Sequence, residues 1–194
     1  MHENFLKYVF LITEKLNKFF EEQKEFIFCK RGCAKCCKNA QFPFTEIEFD
    51  FINDGMLRLD KEIQMQIMDK VEKILEAKKQ SKEEIFRYDC PFLIDDVCSV
   101  YNYRGLICRS FGLASFKKGK ETKFLVPFCA YEGLNYSNFL NSENKKDKSE
   151  TSDTSTEPIA YNTSYPSLID EEMANQLGFS FGEAKPLIEW FENL

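Results

Sequence analysis

Histidine is nearly absent from this chain. The sole histidine, His2, stands at the second position, where a helix end would fray. A serine or cysteine nucleophile that depends on a neighbouring histidine is therefore not expected, nor is a mixed cysteine and histidine zinc site. The sequence also lacks the glycine-rich loops that bind nucleotide phosphates. These absences argue against the commonest hydrolase and nucleotide-binding classes.

Long hydrophobic runs and an excess of positive charge are also lacking. The apolar run at residues 8–12 is too short for the core of a signal peptide, and nothing approaches the length of a membrane span. A net charge of −6 gives no electrostatic footprint for nucleic acid or anionic lipid. We therefore expect a cytoplasmic protein that binds neither nucleic acid nor a membrane.

Cysteine, by contrast, is abundant. The chain of 194 residues contains 8 cysteines, concentrated in CKRGCAKCC at 29–37 and CPFLIDDVCSVYNYRGLIC at 90–108. Thiols stay reduced in the cytoplasm, so these cysteines are interpreted as metal ligands or catalytic thiols before they are interpreted as disulfides.

The spacing of the cysteines favours a metal-thiolate site. Cys33 and Cys36 form a chelating pair with the spacing of zinc ribbons and rubredoxins, and a distant second half would let the metal cross-link the fold. Zinc and an iron–sulfur cluster fit the all-cysteine donor set equally well. For Cys129, a ligand and a buried core thiol in a strand are equally plausible. The predicted ligands are Cys29, Cys33, Cys36, Cys37, Cys90, Cys98 and Cys108.

The adjacent cysteines Cys36 and Cys37 bear on the number of sites. Side chains of neighbouring residues diverge in a regular backbone, so either the two serve neighbouring centres or only one of them binds. One principal centre that draws on both halves is favoured, and a second site is the alternative. Nearby cations are expected to offset the negative charge of the thiolates. These are Lys30, Arg31, Lys35, Lys38, Arg104 and Arg109.

The cysteine pattern has a specific resemblance. It reads C-x3-C-x2-CC at 29–37, then CPFL from Cys90, C-x2-Y-x2-R from Cys98, and CR-x-F-G from Cys108. This resembles the YkgJ-like cysteine-cluster family, described as zinc- or iron-chelating proteins, over residues 29–112. The family usually reads Arg-Pro where this chain has Arg104-Gly105, which would loosen the turn after Arg104 without removing a ligand.

The resemblance implies a function and two alternatives. It implies a cytoplasmic metal-binding protein that holds zinc or an iron–sulfur cluster. One branch of the family is similar to flagellin lysine methylases, which carry the same cysteines and are associated with an iron–sulfur cluster. A methylase-like enzyme that uses S-adenosylmethionine is therefore one alternative, and a metal chaperone or sensor is the other.

Periodicity predicts a mainly helical α+β fold, with small β hairpins packed beside a cysteine-ligated metal centre. Helices are expected at 3–25, from Thr45 with Glu48 as a capping box, at 60–80, at 167–178 and at 183–194. Hairpins are expected at 90–101 and 110–128.

The predicted organisation has three parts. Residues 1–140 form a helical cysteine-cluster domain, and residues 159–194 form helices that pack back on it. Between them, residues 141–158 are charged and hydroxyl-rich without an apolar side chain, so they are expected to be a disordered insertion.

Overall fold

The computed structural model describes residues 2–30, 32–117, 123–144 and 158–192. Over these ranges helices supply most of the regular structure and the sheets are two-stranded, which confirms the mainly helical α+β class. The helices are α1 His2–Glu22, α2 Glu46–Leu57, α3 Lys61–Gln80, α4 Leu106–Ser110, α5 Ser137–Asn144, α6 Tyr165–Leu168 and α7 Glu171–Leu177.

Three antiparallel strand pairs join distant parts of the chain or close hairpins. The pairs are β1 Pro43–Thr45 with β6 Ala184–Pro186, β2 Leu93–Ile94 with β3 Val97–Cys98, and β4 Ser115–Lys117 with β5 Lys123–Leu125. Both predicted hairpins are therefore confirmed. Asp95 and Asp96 turn the first with φ of 49° and 58°, the left-handed pair that suits a tight hairpin. The predicted turn at Lys118–Gly119 lies outside the described residues.

Helix α1 buries one face in a cluster of aromatic rings, as its periodicity predicts. We call this cluster the aromatic core and define it as Phe5, Tyr8, Phe51, Phe179 and Phe181. Its rings meet mostly edge to face, with centroids 5.2–6.5 Å apart. The Tyr8 hydroxyl donates to the Leu168 carbonyl at 2.7 Å and accepts from the Asp170 amide at 3.1 Å. Helices α1, α6 and α7 are thereby held together.

Glu48 is a fully buried carboxylate at which several elements of the fold meet. Its carboxylate accepts from the Thr45 amide at 2.9 Å, which is the predicted capping-box contact at the start of α2. It also accepts from the Leu106 amide at 2.7 Å and from the Tyr165 hydroxyl at 2.7 Å. Burial raises the pKa of this carboxyl above its ordinary value. Glu48 thus ties the N-termini of α2 and α4 to α6.

The predicted helix at 183–194 is wrong in its first half. Residues 184–186 form β6, and a 3-10 helix follows at Leu187–Phe191. Pro186 has no amide hydrogen for a helix interior, whereas an edge strand tolerates it, and β6 pairs with β1. The Trp190 indole donates to the Phe44 carbonyl at 3.0 Å, which holds this segment against β1.

The three-part organisation stays a prediction, with one adjustment. Helix α5 reaches Asn144, so the first four residues of the predicted insertion 141–158 are helical, and residues 145–157 lie outside the described ranges. Helix α7 packs against α1. None of the helices described here is both long and apolar enough to cross a membrane.

Candidate metal centre

The adjacent cysteines Cys36 and Cys37 lie in a 3-10 turn, Lys35–Cys37, entered through Ala34 with φ of 34°. Their Sγ atoms approach to 3.9 Å. Neighbouring side chains diverge in a regular backbone, and this backbone is irregular. Zinc–sulfur bonds of about 2.3 Å in a tetrahedron place two sulfurs about 3.8 Å apart. The pair therefore has the spacing of two ligands on one metal, which corrects the expectation that the two side chains diverge.

Five thiols line one cavity of about 120 Å³. We call them the inner group: Cys36, Cys37, Cys90, Cys98 and Cys108. The rest of the wall is almost wholly apolar, built mainly from Phe42, Phe44, Ile52, Tyr88, Phe92, Val100, Phe111 and Leu187. The two cysteine-rich segments of the sequence therefore meet at a single water-poor space.

Backbone hydrogen bonds hold the inner group together. The Cys90 amide donates to the Cys37 carbonyl at 2.8 Å, and a β-bridge joins Ala40 to Tyr88. Cys98 lies on β3 opposite Leu93 in the first hairpin. Cys108 lies on α4, whose first turn is fixed by Glu48. Cys36 and Cys37 thus share one 3-10 turn, and the other three thiols each lie on a separate short element or loop.

The remaining three cysteines form a second cluster, which we call the outer group: Cys29, Cys33 and Cys129. Cys129 lies in the 3-10 helix Phe128–Glu132 and is buried, so its predicted placement in a strand is wrong. Burial, together with the neighbouring Cys33 and Cys129, raises the pKa of the Cys29 thiol to about 11. A Lys35–Glu132 ion pair at 2.6 Å links the loops that carry the outer group.

A family model described as "CxxCxxCC: Putative zinc- or iron-chelating domain" matches residues 28–130. The chain belongs to this family. The match spans both the inner and the outer group and agrees with the resemblance inferred from the cysteine spacing. Comparisons with curated proteins and with solved structures found no match.

Gly105 is the point at which this member departs from the usual Arg-Pro of the CxxCxxCC family. Its φ of −65° is a value that proline also adopts, and the looser turn stays a prediction. A Cβ at Gly105 would lie 2.4 Å from the Phe44 ring and 2.9 Å from the Glu48 carboxylate. Glycine is required here because Phe44 fills the space beside it.

Burial dominates the ionisation of the inner group. It raises the pKa of Cys98 to about 11 and raises those of Cys90 and Cys108 above their ordinary value. Backbone hydrogen bonds from Phe92 to Cys90 and from Val100 to Cys98 oppose this effect. The hydrogen bond between the Cys36 and Cys37 sulfurs raises the pKa of Cys36 and lowers that of Cys37. A metal that binds these sulfurs must displace protons.

Among the predicted charge-compensating cations, two lysines pair with carboxylates and one arginine lines the cavity. Lys35 and Lys38 pair with the carboxylates of Glu132 and Asp96. Arg104 lines the cavity, stacked 3.8 Å from the centroid of the Tyr101 ring. Arg31 lies outside the described residues, and the Lys30 carbonyl accepts from the Cys33 amide at 3.0 Å.

Arg109 is the cation most deeply placed beside the inner group. It is 9% exposed and donates to the carbonyls of Asn102 and Arg104 and to the Thr13 hydroxyl. No carboxylate pairs with it in the part of the chain that the structure describes. Arg109 therefore keeps a positive charge next to Cys108, where thiolates would develop negative charge.

The thiols are gathered but not yet in ligating positions. Across 2–30, 32–117, 123–144 and 158–192, no three side chains of histidine, cysteine, aspartate or glutamate stand where they would hold a metal ion. A third sulfur must therefore move toward the 3.9 Å pair for a metal to be bound.

Sequence reasoning missed several residues that shape the site. Leu187 completes the cavity wall from a distant part of the chain, and the Tyr88 hydroxyl accepts from the Ile188 amide at 3.0 Å. Asn135 connects the loops of the outer group. No local pattern signals these roles, because each depends on a contact across many residues.

Proposed function

We propose that the inner group binds one zinc or iron ion through cysteine thiolates and thereby cross-links the two cysteine-rich segments. The observation that carries this proposal is the convergence of five thiols on one apolar cavity, two of them at the sulfur spacing of a tetrahedral metal site. The family description, zinc or iron chelation, supports the same chemistry.

The backbone amides around the inner group support thiolate ligation. Phe92 and Val100 each lie two residues after a cysteine and donate to its sulfur. Hydrogen bonds of this kind stabilise metal-bound thiolate and tune its electronics. The apolar wall limits the contact of water with the half-buried sulfurs, and Arg104 and Arg109 supply compensating positive charge.

A single ion is proposed rather than a cubane cluster because of the adjacent pair. In a [4Fe–4S] cluster each cysteine binds its own iron, whereas Cys36 and Cys37 have the separation of two ligands that share one metal. A thiolate-bound zinc supplies a structural cross-link, and a thiolate-bound iron supplies in addition a one-electron redox centre.

The first test is purification without oxygen, followed by an absorption spectrum and metal analysis by plasma mass spectrometry. One zinc or iron per chain without acid-labile sulfide is the expected result. Iron with equimolar sulfide would contradict the single-ion proposal while keeping the metal-binding function. A preparation that neither carries nor takes up either metal would overturn the function itself.

The outer group is the candidate for a second metal. Its three thiols lie on loops that the Lys35–Glu132 pair holds together. Two metals per chain, with one lost in Cys129→Ser, is the result that would assign it. A methylase-like role stays a prediction that calorimetric titration with S-adenosylmethionine tests.

A further inference from the structure

Asn135 is a fully buried polar residue outside the predicted ligand set. Its Oδ1 accepts hydrogen bonds from the amides of Phe28 and Cys29, at 2.8 Å each. Its Nδ2 donates to the Gly112 carbonyl at 3.0 Å. One side chain thus joins the segment that begins the cysteine motif to the segment that follows Cys108.

An asparagine is specifically suited to this position. The amide offers an acceptor oxygen with two lone pairs and a donor nitrogen on one planar group. Aspartate would keep the acceptor and lose the donor to Gly112, and leucine would lose both. Gly112 has φ of +104°, and a Cβ there would lie 2.8 Å from the Asn135 Nδ2. The glycine therefore leaves the space that the amide occupies.

The backbone of Asn135 also reaches the outer group. Its amide donates to the Cys129 sulfur, and the amide of the preceding Leu134 donates to the Cys129 carbonyl at 3.1 Å. Asn135 therefore touches the backbone of Cys29 through its side chain and the thiol of Cys129 through its main chain. One residue thus fixes the relative positions of two cysteines that are about a hundred residues apart in the chain.

Few other hydrogen bonds hold the loop at 28–34. Within its described residues, the bonds to distant parts of the chain are the two that Asn135 accepts, and the Cys33 amide bonds only locally, to Lys30. Removing the Asn135 amide would therefore loosen the loop that carries Cys29 and Cys33 and leave the Lys35–Glu132 ion pair as its remaining link to the segment of Cys129. The aromatic core has its own contacts and would be left intact.

We propose that Asn135 is a positioning residue of the metal centre. It joins the start of the segment that carries Cys36 and Cys37 to the segment that follows Cys108, and so slows the loss of metal from the inner group. This inference rests on the proposed metal-binding function. Asn135 acts through the backbone of a cysteine and not as a ligand. Residues that orient ligands in this way typically change metal affinity by roughly 10- to 100-fold when they are replaced.

The test compares Asn135→Leu and Asn135→Asp with Tyr8→Phe. The control also removes buried hydrogen bonds, those to Leu168 and Asp170, but in the aromatic core. Each protein is loaded with Zn²⁺, and the rate of zinc transfer to a chromophoric chelator is measured at neutral pH beside the thermal unfolding midpoint. Zinc transfer is expected to be roughly tenfold faster or more in both Asn135 variants, and unchanged in Tyr8→Phe although its unfolding midpoint falls.

The outcomes separate the inference from the proposed function. If the unsubstituted protein takes up no zinc or iron, the function fails. If it binds zinc and the Asn135 variants release it at the rate of Tyr8→Phe, the function stands and the positioning role is overturned. If both Asn135 variants fail to fold while Tyr8→Phe folds, Asn135 is a general core residue and the inference is also overturned.

Discussion

The two hydrophobic cores of this protein are completed in different ways. The aromatic core is filled by its own side chains, with rings in edge-to-face contact at 5.2–5.6 Å around Phe179. The second core, which we call the cysteine core, surrounds a space of about 120 Å³ edged by five thiols. Protein interiors are otherwise close-packed, so a space of this size beside five thiols suits the proposed metal. The first core is filled by its own rings, whereas the second leaves room that the proposed metal would occupy.

The elements around the two cores differ accordingly. Helices α1 and α7 provide regular scaffolding for the aromatic core. The thiols of the cysteine core lie on a 3-10 turn, a two-residue strand, a five-residue helix and loop. Such short elements gain little stability from their own hydrogen bonds, so a metal cross-link would contribute most where regular structure contributes least.

Metal removal is expected to have the largest effect, and to destabilise the cysteine core far more than the aromatic core. Structural zinc contributes on the order of 10 kcal/mol in small zinc domains, and here that contribution would be confined to the cysteine core. Hydrogen exchange should therefore rise at 33–40 and 88–108 after chelation and stay low in α1 and α7. A uniform rise across both cores would show that they do not differ as described.

Replacement of one inner thiol should have the second-largest effect. Cys90→Ser removes a ligand from the wall of the cavity, so metal content and unfolding temperature should fall together. Cys129→Ser is the matched control, since it alters an outer thiol and should leave the inner metal in place. Full metal loading of Cys90→Ser, measured by plasma mass spectrometry, would remove this cysteine from the ligand set.

Mutations in the aromatic core should lower the free energy of unfolding by the same amount whether or not metal is bound. Phe5→Ala removes a ring that contacts four others, and we expect a loss of about 3–5 kcal/mol in the free energy of unfolding. Urea unfolding should give the same loss in metal-loaded and metal-free protein. Phe10→Ala, at a position 63% exposed on the same helix, should change stability by about 0.5 kcal/mol or less. A loss in Phe5→Ala that depends on metal would mean that the cores are coupled.

Glu48→Gln should have the smallest effect and probes the junction of the two cores. The new amide places a donor against amide and hydroxyl donors, which we expect to cost about 1–3 kcal/mol. The raised pKa of Glu48 means that its contribution is fully present below the ordinary carboxyl pKa and is lost as pH rises through the folded-state value. The loss in Glu48→Gln should therefore be larger at pH 4 than at pH 7. Chemical denaturation at both pH values measures it, and an equal or reversed difference would contradict the assignment.

Local signals in the sequence predicted what local physics determines. The apolar periodicity of α1, the capping box of α2 and the Asp-Asp hairpin turn each depend on neighbouring residues, and each is confirmed. The β1–β6 pairing and the strand at 184–186 were missed because they join segments that are far apart in sequence. The approach of Cys36 to Cys37 was missed because it depends on the left-handed Ala34 before the turn. The cysteine spacing predicted the family but not the division into inner and outer groups.

The position of Leu187 in the cavity wall imposes an order on biosynthesis. Leu187 follows Cys129 by 58 residues, so every thiol leaves the ribosome before the wall can close. At roughly 5–20 residues per second this interval lasts roughly 3–12 s. During those seconds the nascent chain offers its cysteines without the apolar cover that later shields them. A metal bound in this interval would meet uncovered thiols, and the pairing of β6 with β1 would then bring Leu187 over the site.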